Sequence, residues 1–469
     1  MKKTIKLMSL VLLVYLLVGT ILPYAAAPEL SGETNASLSQ MVYTDEGQST
    51  ERVQLLTENG QALEERIRLI AQAQERIWMS TFEFRSDESG KDMLAALQAA
   101  AERGVSVQIL VDGMPAFLRL TGNEYFCALS AMEQVEIRVY NPVNVLKPWQ
   151  LMGRQHDKYL IADDTAYILG GRNTYDFFLG DHDGYINYDW DVLVWQQSEG
   201  RGASMEQLAA YAENIWNQSL CRIYHDDETE LEQEAVARAG QELRDRYQTM
   251  QQTKAAWFEP RDYSKDTMPV HHIQLLTNPV HSRVKEPVVY AAITQLMAQA
   301  EEEVRFHTPY IICNDWMLDQ LENVCDKVPE VVMMTNSIAN NGNPFGAMDY
   351  WKNKDRILET GVQILEYDQG VSYHGKCFTI DDRLSGIGSF NWDMRSTYIN
   401  TEMMLVIDSE EVNAALRDGM EQYEQDALAV ADEDSYRNLD GRTPQSISTK
   451  QWIRIVLLRG LAGWMRFLM

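Results

Sequence analysis

Positive charge is in short supply in this chain. Lys and Arg together number 41 against 69 Asp and Glu, for a formal net charge of -28 and a pI near 4.7. Binding to a polyphosphate chain relies on Lys and Arg displacing counterions, so this balance argues against nucleic acid as the partner. Cysteine is sparse too. Cys127, Cys221, Cys313, Cys325 and Cys377 are odd in number, have no CxxC spacing and come with no His cluster, so neither a zinc site nor a disulfide framework is signalled. A P-loop, an HExxH helix and a carboxylate cluster suited to two metals are all missing, and the chemistry is therefore read as needing no metal and no cofactor. The composition itself is that of a globular protein, 45% hydrophobic and 23% charged, and 469 residues suffice for two ordinary domains or one large pseudo-symmetric unit.

One long apolar run is present. Lys2, Lys3 and Lys6 precede Leu7 to Leu22, and the run continues through Pro23 and Tyr24 into Ala25-Ala26-Ala27. Residues 1–27 are read as a membrane anchor, with a cleaved signal as the alternative. In both cases the lysines stay on the cytoplasmic side and the rest of the chain faces outward.

The remainder repeats itself. Val53 to Thr57 and Ile273 to Thr277 are nearly identical, and each is followed by a helical stretch and a strand-like segment, Ile77 to Phe84 and Val304 to Ile312. A second strand follows in each copy, Val105 to Asp112 and Val331 to Asn336. This β-α-β-α order with hydrophobic strands predicts mostly parallel sheets flanked by helices. The register persists further on. His156, Lys158, Asp163, Gly170 and Asn173 recur as His374, Lys376, Asp381, Gly388 and Asn391 with identical spacing. Residues 204–258, rich in Glu and Gln, read as a solvated helical connector between the copies. In the tail, residues 445–469, Trp452, Ile455, Leu458, Leu461, Trp464 and Phe467 accompany Arg454, Arg459 and Arg466, which suits a lipid headgroup region.

The repeated residues suit phosphodiester chemistry. A phosphodiester repels nucleophiles, and its transition state gathers further negative charge, so the site must supply cations and donors. Lys158 and Lys376 provide the first, Asn173 and Asn391 the second. Imidazole can attack phosphorus when neutral and act as an acid when protonated, so His156 and His374 can divide the work between nucleophile and acid-base. Each ring needs its other nitrogen held by an acid. Glu402 is expected to orient His374, and Asp191 to orient His156. Asp163 and Asp381, at a turn after a strand, are expected to bind backbone or a neighbouring Arg. His182, His225, His271, His272, His281 and His307 are read as structural or merely exposed.

These residues resemble the phospholipase D superfamily, whose duplicated HxKxxxxD signature is followed by Gly-x-x-Asn. The bacterial cardiolipin synthases are similar in more detail, through Gly170-Gly171-Arg172-Asn173, Gly388-Ser389-Phe390-Asn391-Trp392-Asp393, Arg395-Ser396 and Asn400-Thr401-Glu402. The resemblance covers about residues 50 to 410. It implies a pseudo-twofold, duplicated α/β fold with halves at 50–203 and 259–430. It also implies a phosphohistidine on His156, with His374 as acid and base. The expected function is phosphatidyl transfer between phosphatidylglycerol molecules at a membrane surface, with the catalytic part outside the cytoplasm. Headgroup hydrolysis, or a nuclease-like phosphodiesterase, would use the same residues.

Overall fold

The computed structural model describes residues 2–38, 49–197, 202–224, 233–437, 439 and 441–469. His225, Glu228, Glu230 and Glu232, and the side chains of Arg459, Leu461 and Trp464, lie outside the described residues. Apolar side chains at alternate positions build strands whose two faces are both buried. In Met403–Asp408, for example, Met403, Leu405 and Ile407 pack to one side while Met404 and Val406 pack to the other.

Seven strands form the frame of the first half: β1 (Glu51–Leu56), β2 (Arg76–Thr81), β3 (Ser106–Asp112), β4 (Val135–Tyr140), β5 (Tyr159–Ala162), β6 (Ala166–Gly170) and β7 (Asp191–Gln196). The second half repeats them as β8 (His272–Thr277), β9 (Glu303–His307), β10 (Glu330–Asn336), β11 (Gln363–Tyr367), β12 (Cys377–Ile380), β13 (Leu384–Gly388) and β14 (Met403–Asp408). In space the orders are β1-β7-β6-β5-β2-β3-β4 and β8-β14-β13-β12-β9-β10-β11, the same path twice. The fold is thus α/β and duplicated. The strands are less parallel than expected, however. Only β2-β3-β4 and β9-β10-β11 run parallel, and the other pairings within these two frames are antiparallel. Connection length is the reason. Helices Glu88–Glu102 and Asp315–Lys327 bridge parallel neighbours, whereas Asp163-Asp164-Thr165 and Asp381-Asp382-Arg383 leave room only for hairpins.

The two sheets share a core. Val53, Ile161, Leu169, Val192 and Val194 of the first half join Ile273, Ile387, Met403, Leu405 and Ile407 of the second in one buried cluster. Two further clusters lie on the outer faces beneath helices, one for each half.

The connector departs from expectation. Its first helix, Ala203–Trp216, is not solvated: Met205, Leu208, Ala212 and Ile215 recur at helical spacing and enter the shared core. The second, Gln233–Thr253, packs on Glu88–Glu102 through Leu243 and neighbours. The tail forms helix Thr449–Ala462 and a 3-10 turn Gly463–Leu468. Ile453, Val456 and Leu457 are exposed, but Ile455 and Leu468 are buried, and Arg466 pairs with Asp349 at 2.9 Å rather than reaching for solvent.

Helix α1 (Lys2–Ile21) is long and apolar enough to cross a membrane, and Lys3 to Tyr15 are exposed, while its last turn begins to pack on the body. Beyond it the chain docks on the body. Tyr24 is buried with its hydroxyl 2.8 Å from the Trp149 carbonyl and 2.7 Å from that of Ser282, and α2 (Gly32–Leu38) packs against Val288–Met297.

Asp163 and Asp381 occupy matching turns with φ of 51° and 48°. The Asp163 carboxylate accepts the backbone N–H groups of Gln74, Glu75 and Arg76, and that of Asp381 accepts those of Glu301, Glu302 and Glu303. Each therefore caps the start of β2 or β9. Asp163→Ala removes this acceptor and strains the left-handed backbone, so chemical denaturation is expected to show a loss of about 2–3 kcal/mol, with Asp163→Asn losing less.

Candidate active site

The histidine loops are fixed by pairing across the two halves. Gln155 forms a parallel bridge with Thr401, the His156 N–H donates to the Thr401 carbonyl at 3.2 Å, and the Thr401 N–H donates to Arg154 at 2.9 Å. The other half does the same with a two-residue ladder. Ser372–Tyr373 pairs with Asn187–Tyr188, and the His374 N–H donates to the Tyr188 carbonyl at 2.7 Å. Each histidine segment is thereby stitched to the residue just before an acid of the opposite half.

The acids follow the stitching. His156 Nδ1 lies 3.0 Å from the Glu402 carboxylate, and His374 Nδ1 lies 2.6 Å from Asp189 Oδ2. This corrects both expected pairings. Glu402 serves the histidine of the other half, and Asp189, not Asp191, is its counterpart. Asp191 faces away, buried against Arg66 at 2.9 Å and Arg172 at 3.3 Å. The strand registers explain the difference. Leu56 pairs with Asp191 and its repeat-mate Leu276 pairs with Met404, so Asp191 matches Met404 and Asp189 matches Glu402. Counting back three residues from the apolar triplets Val192-Leu193-Val194 and Leu405-Val406-Ile407 would have found Asp189; counting forward from the asparagines did not, because a longer loop intervenes in the first half.

Both acids are held. Glu402 accepts from Ser389 Oγ at 2.5 Å and Ser396 Oγ at 2.9 Å, while Asp189 accepts from the Trp190 N–H at 2.9 Å. Gly171 lets Asp189 in: a Cβ there would lie 2.2 Å from Asp189 Oδ1. When Nδ1 donates to the acid, Nε2 of each ring faces the cleft for chemistry; at His374 the Lys376 ammonium also lies 2.5 Å from Nδ1 and 3.3 Å from Nε2.

Electrostatics keep the imidazoles neutral. Burial and then Lys158 push the His156 pKa well below 6.5, and burial and then Lys376 bring His374 down to about 4. Burial alone would raise Asp189, but Lys376 and His374 overcome it and hold the acid at about 2. Glu402 goes the other way, raised by burial to about 7 against the pull of Lys158. Lys158 is buried and donates to the His156 carbonyl at 2.6 Å; burial, opposed by Glu402, lowers it to about 7. Lys376, equally buried, donates to the His374 carbonyl and lies 3.5 Å from Asp189 Oδ2.

His156, Asn173 and His374 line one cleft of about 360 Å³. Asn173 Oδ1 accepts the Glu83 N–H at 3.3 Å. Asn391 is buried 3.5 Å from Ser396 Oγ, and its own Oδ1 has no partner among the described residues. Aromatic edges cover the rings, Phe82 over His156 at 5.2 Å and Phe178 over His374 at 5.0 Å between centroids. Tyr175, Phe177 and Tyr185 extend this wall, with the Arg85 guanidinium 3.7 Å above Tyr175. Tyr175, Phe177, Phe178 and Tyr185 come from the segment after Asn173 where the two halves differ, so the repeat carries no signal for them. Tyr310 and Asn343 close the opposite side.

The profile of the family described as "Cardiolipin synthase, PLD-like domain" matches residues 67–216 and 293–423. Cardiolipin synthase C of Escherichia coli (strain K12) is 25% identical over 404 residues, which cover 74% of this chain and 79% of that protein. Cardiolipin synthase 1 of Staphylococcus epidermidis (strain ATCC 12228) is 25% identical over 372 residues, 79% of this chain and 67% of that protein. Among solved structures, phosphatidylserine synthase of Haemophilus influenzae Rd KW20 superposes with a TM-score of 0.65 at 15% identity, covering 93% of this chain and 99% of the other. That likeness shows the fold.

The crossed pairing has a direct spectroscopic consequence. In Asp189→Asn, ¹⁵N NMR of the imidazoles is expected to show a changed tautomer balance at His374 with His156 unmoved, and Glu402→Gln the reverse. Asp191→Ala is expected to leave both rings alone and to cost about 3–5 kcal/mol of stability, because Arg66 and Arg172 stay buried without their acid.

Proposed function

We propose, since the chain belongs to the cardiolipin synthase family of phospholipase D-like domains, that it transfers a phosphatidyl group from one phosphatidylglycerol to a hydroxyl of another. The observation that carries this reading is the single cleft lined by both histidines, each ring backed by an acid of the other half.

His156 Nε2, neutral in its buried setting, attacks phosphorus; the P–N bond forms as the bond to the glycerol oxygen breaks. His374 gives that oxygen its proton. In the free protein the ring is neutral at pH 7, with its one proton on the Nδ1 that faces Asp189, but an anionic phosphodiester in the cleft favours a second proton on Nε2, and Asp189 stabilises the resulting imidazolium from behind. The glycerol leaves, a hydroxyl of the second phosphatidylglycerol enters, and His374 takes its proton as the new P–O bond replaces P–N. Lys158, Lys376, Asn173 and Asn391 offset the charge that builds on phosphorus oxygens. Helix α1 holds the site against a cell membrane, and Lys2, Lys3 and Lys6 put the catalytic part on the outer side.

In phosphatidylglycerol micelles without divalent metal, mass spectrometry is expected to find cardiolipin and glycerol; phosphatidic acid alone would assign the protein to hydrolysis instead. His156→Ala and His374→Ala should each lower turnover by about 10²–10⁴-fold, and only His374→Ala should accumulate a trapped phosphohistidine, on His156.

The free-protein rate constant kcat/KM should carry a distinctive alkaline limb. A base whose pKa is depressed keeps its charge below that value and loses it above, so with Lys158 at about 7 the parameter is expected to fall as pH rises through about 7. Lys158→Arg, whose guanidinium keeps its proton, should move this limb upward even where it slows the reaction.

A further inference from the structure

A second cavity adjoins the catalytic cleft. It has a volume of about 350 Å³ and shares Tyr310 and Asn343 with the cleft as a common wall. Beyond these two residues its lining turns apolar: Met152, Ile312, Phe345, Met465 and Leu468. Much of that lining comes from the tail, which is tied down next to the site. The Arg395 N–H donates to the Met469 carbonyl at 2.8 Å, and the Arg395 guanidinium donates to Leu468 at 3.1 Å and to Met152 at 2.8 Å. Arg466 locks the same turn to Asp349 and the Cys313 carbonyl. Of the charged side chains on the lining, Arg395 is engaged by carbonyls and Asp393 Oδ1 accepts the Ser396 N–H at 2.5 Å.

The cavity also lies where the membrane helix arrives. Met152 follows by a few residues the turn Pro148–Gln150, on which Gly19 of α1 packs, and Trp149 and Leu146 in that stretch are exposed. Phe345, at the cavity, is 37% exposed, so the lining reaches the surface. A site for a phosphate headgroup, a polar partition of Tyr310 and Asn343 and an apolar pocket therefore adjoin in that order, the pocket ending at Met152 close to where α1 meets the body.

We infer that this pocket takes an acyl chain of the phosphatidyl donor, with the tail as its wall, and that the protein thereby selects for lipid tails as well as for the headgroup. The inference rests on the phosphatidyl-transfer reading. Its size is that of a ligand pocket, and an apolar chain leaving water gains with every methylene buried.

The test compares dioleoyl with dihexanoyl phosphatidylglycerol on the full-length protein in fixed detergent. Met465→Trp, which fills the pocket, is expected to lower the ratio of kcat/KM for the long chain over the short by about tenfold or more, the effect of leaving a few methylenes in water, while the short-chain rate stays near wild type. Phe345→Asp, at the more open end, should lower the ratio in the same direction and decides the matter if Met465→Trp loses both rates. An unchanged ratio in a variant that retains short-chain activity would overturn the inference. Photolysis of a phosphatidylglycerol with a diazirine at mid-chain gives a readout independent of turnover. Crosslinks to the peptides carrying Phe345, Met465 or Leu468 support the pocket, and crosslinks confined to α1 sink it. Wild-type protein inactive on both lipids would refute the transfer reading and leave the crosslinking result to judge the pocket.

Discussion

The structure depends on a reciprocal exchange of backbone pairing between its halves. Arg154 to His156 runs beside Thr401, and Ser372 to His374 runs beside Asn187 and Tyr188. Because Glu402 directly follows Thr401 and Asp189 directly follows Tyr188, the same hydrogen bonds that dock the halves also deliver each acid to the opposite ring. Neither half has a complete site alone. The cost of burying so many charges is met by density of contact: Glu402 takes two hydroxyls besides the ring, and Arg172 spreads its donors over Asn59, Leu56 and Thr57 as well as Asp191.

The symmetry is broken at positions that distinguish the two rings. The residue after the first histidine is Asp157, buried, accepting from Tyr211 at 2.7 Å and Thr401 at 2.9 Å and raised by burial to about 7. Its counterpart is Gly375, where a Cβ would come within 2.4 Å of Trp190. Behind His374 runs a second buried line, with Trp190 donating to the Tyr373 hydroxyl at 2.6 Å, Tyr373 2.7 Å from His307 Nδ1, and His307 2.9 Å from Glu424. Such side-chain chains rigidify the backbone they touch. The two imidazoles thus share a frame but have different neighbours.

Much of the site was legible before any coordinates. The five-residue register places His156, Lys158, Asn173 and their mates, and the turn position of Asp163 and Asp381 anticipates that they bind backbone. The failures have physical causes. Asp189 and Asp191 are both acids before an apolar strand, and spacing along the chain cannot tell which one faces the other half; the strand register can. The connector helix Ala203–Trp216 was misjudged because its acidic neighbours masked an apolar stripe at helical spacing. The tail's Arg466 reads in sequence as a headgroup contact, yet its partner Asp349 lies far away along the chain and close in space.

The duplication, the histidines, lysines and asparagines of the candidate site and the apolar segment near Leu7 can all be read along the chain, because each is a matter of residue type at a fixed local interval. Which acid serves which histidine, and what encloses the cleft, came from the three-dimensional fold. It alone set the tail beside the cleft. These depend on pairing between segments separated by up to hundreds of residues, and a local pattern holds no record of the partner it will meet.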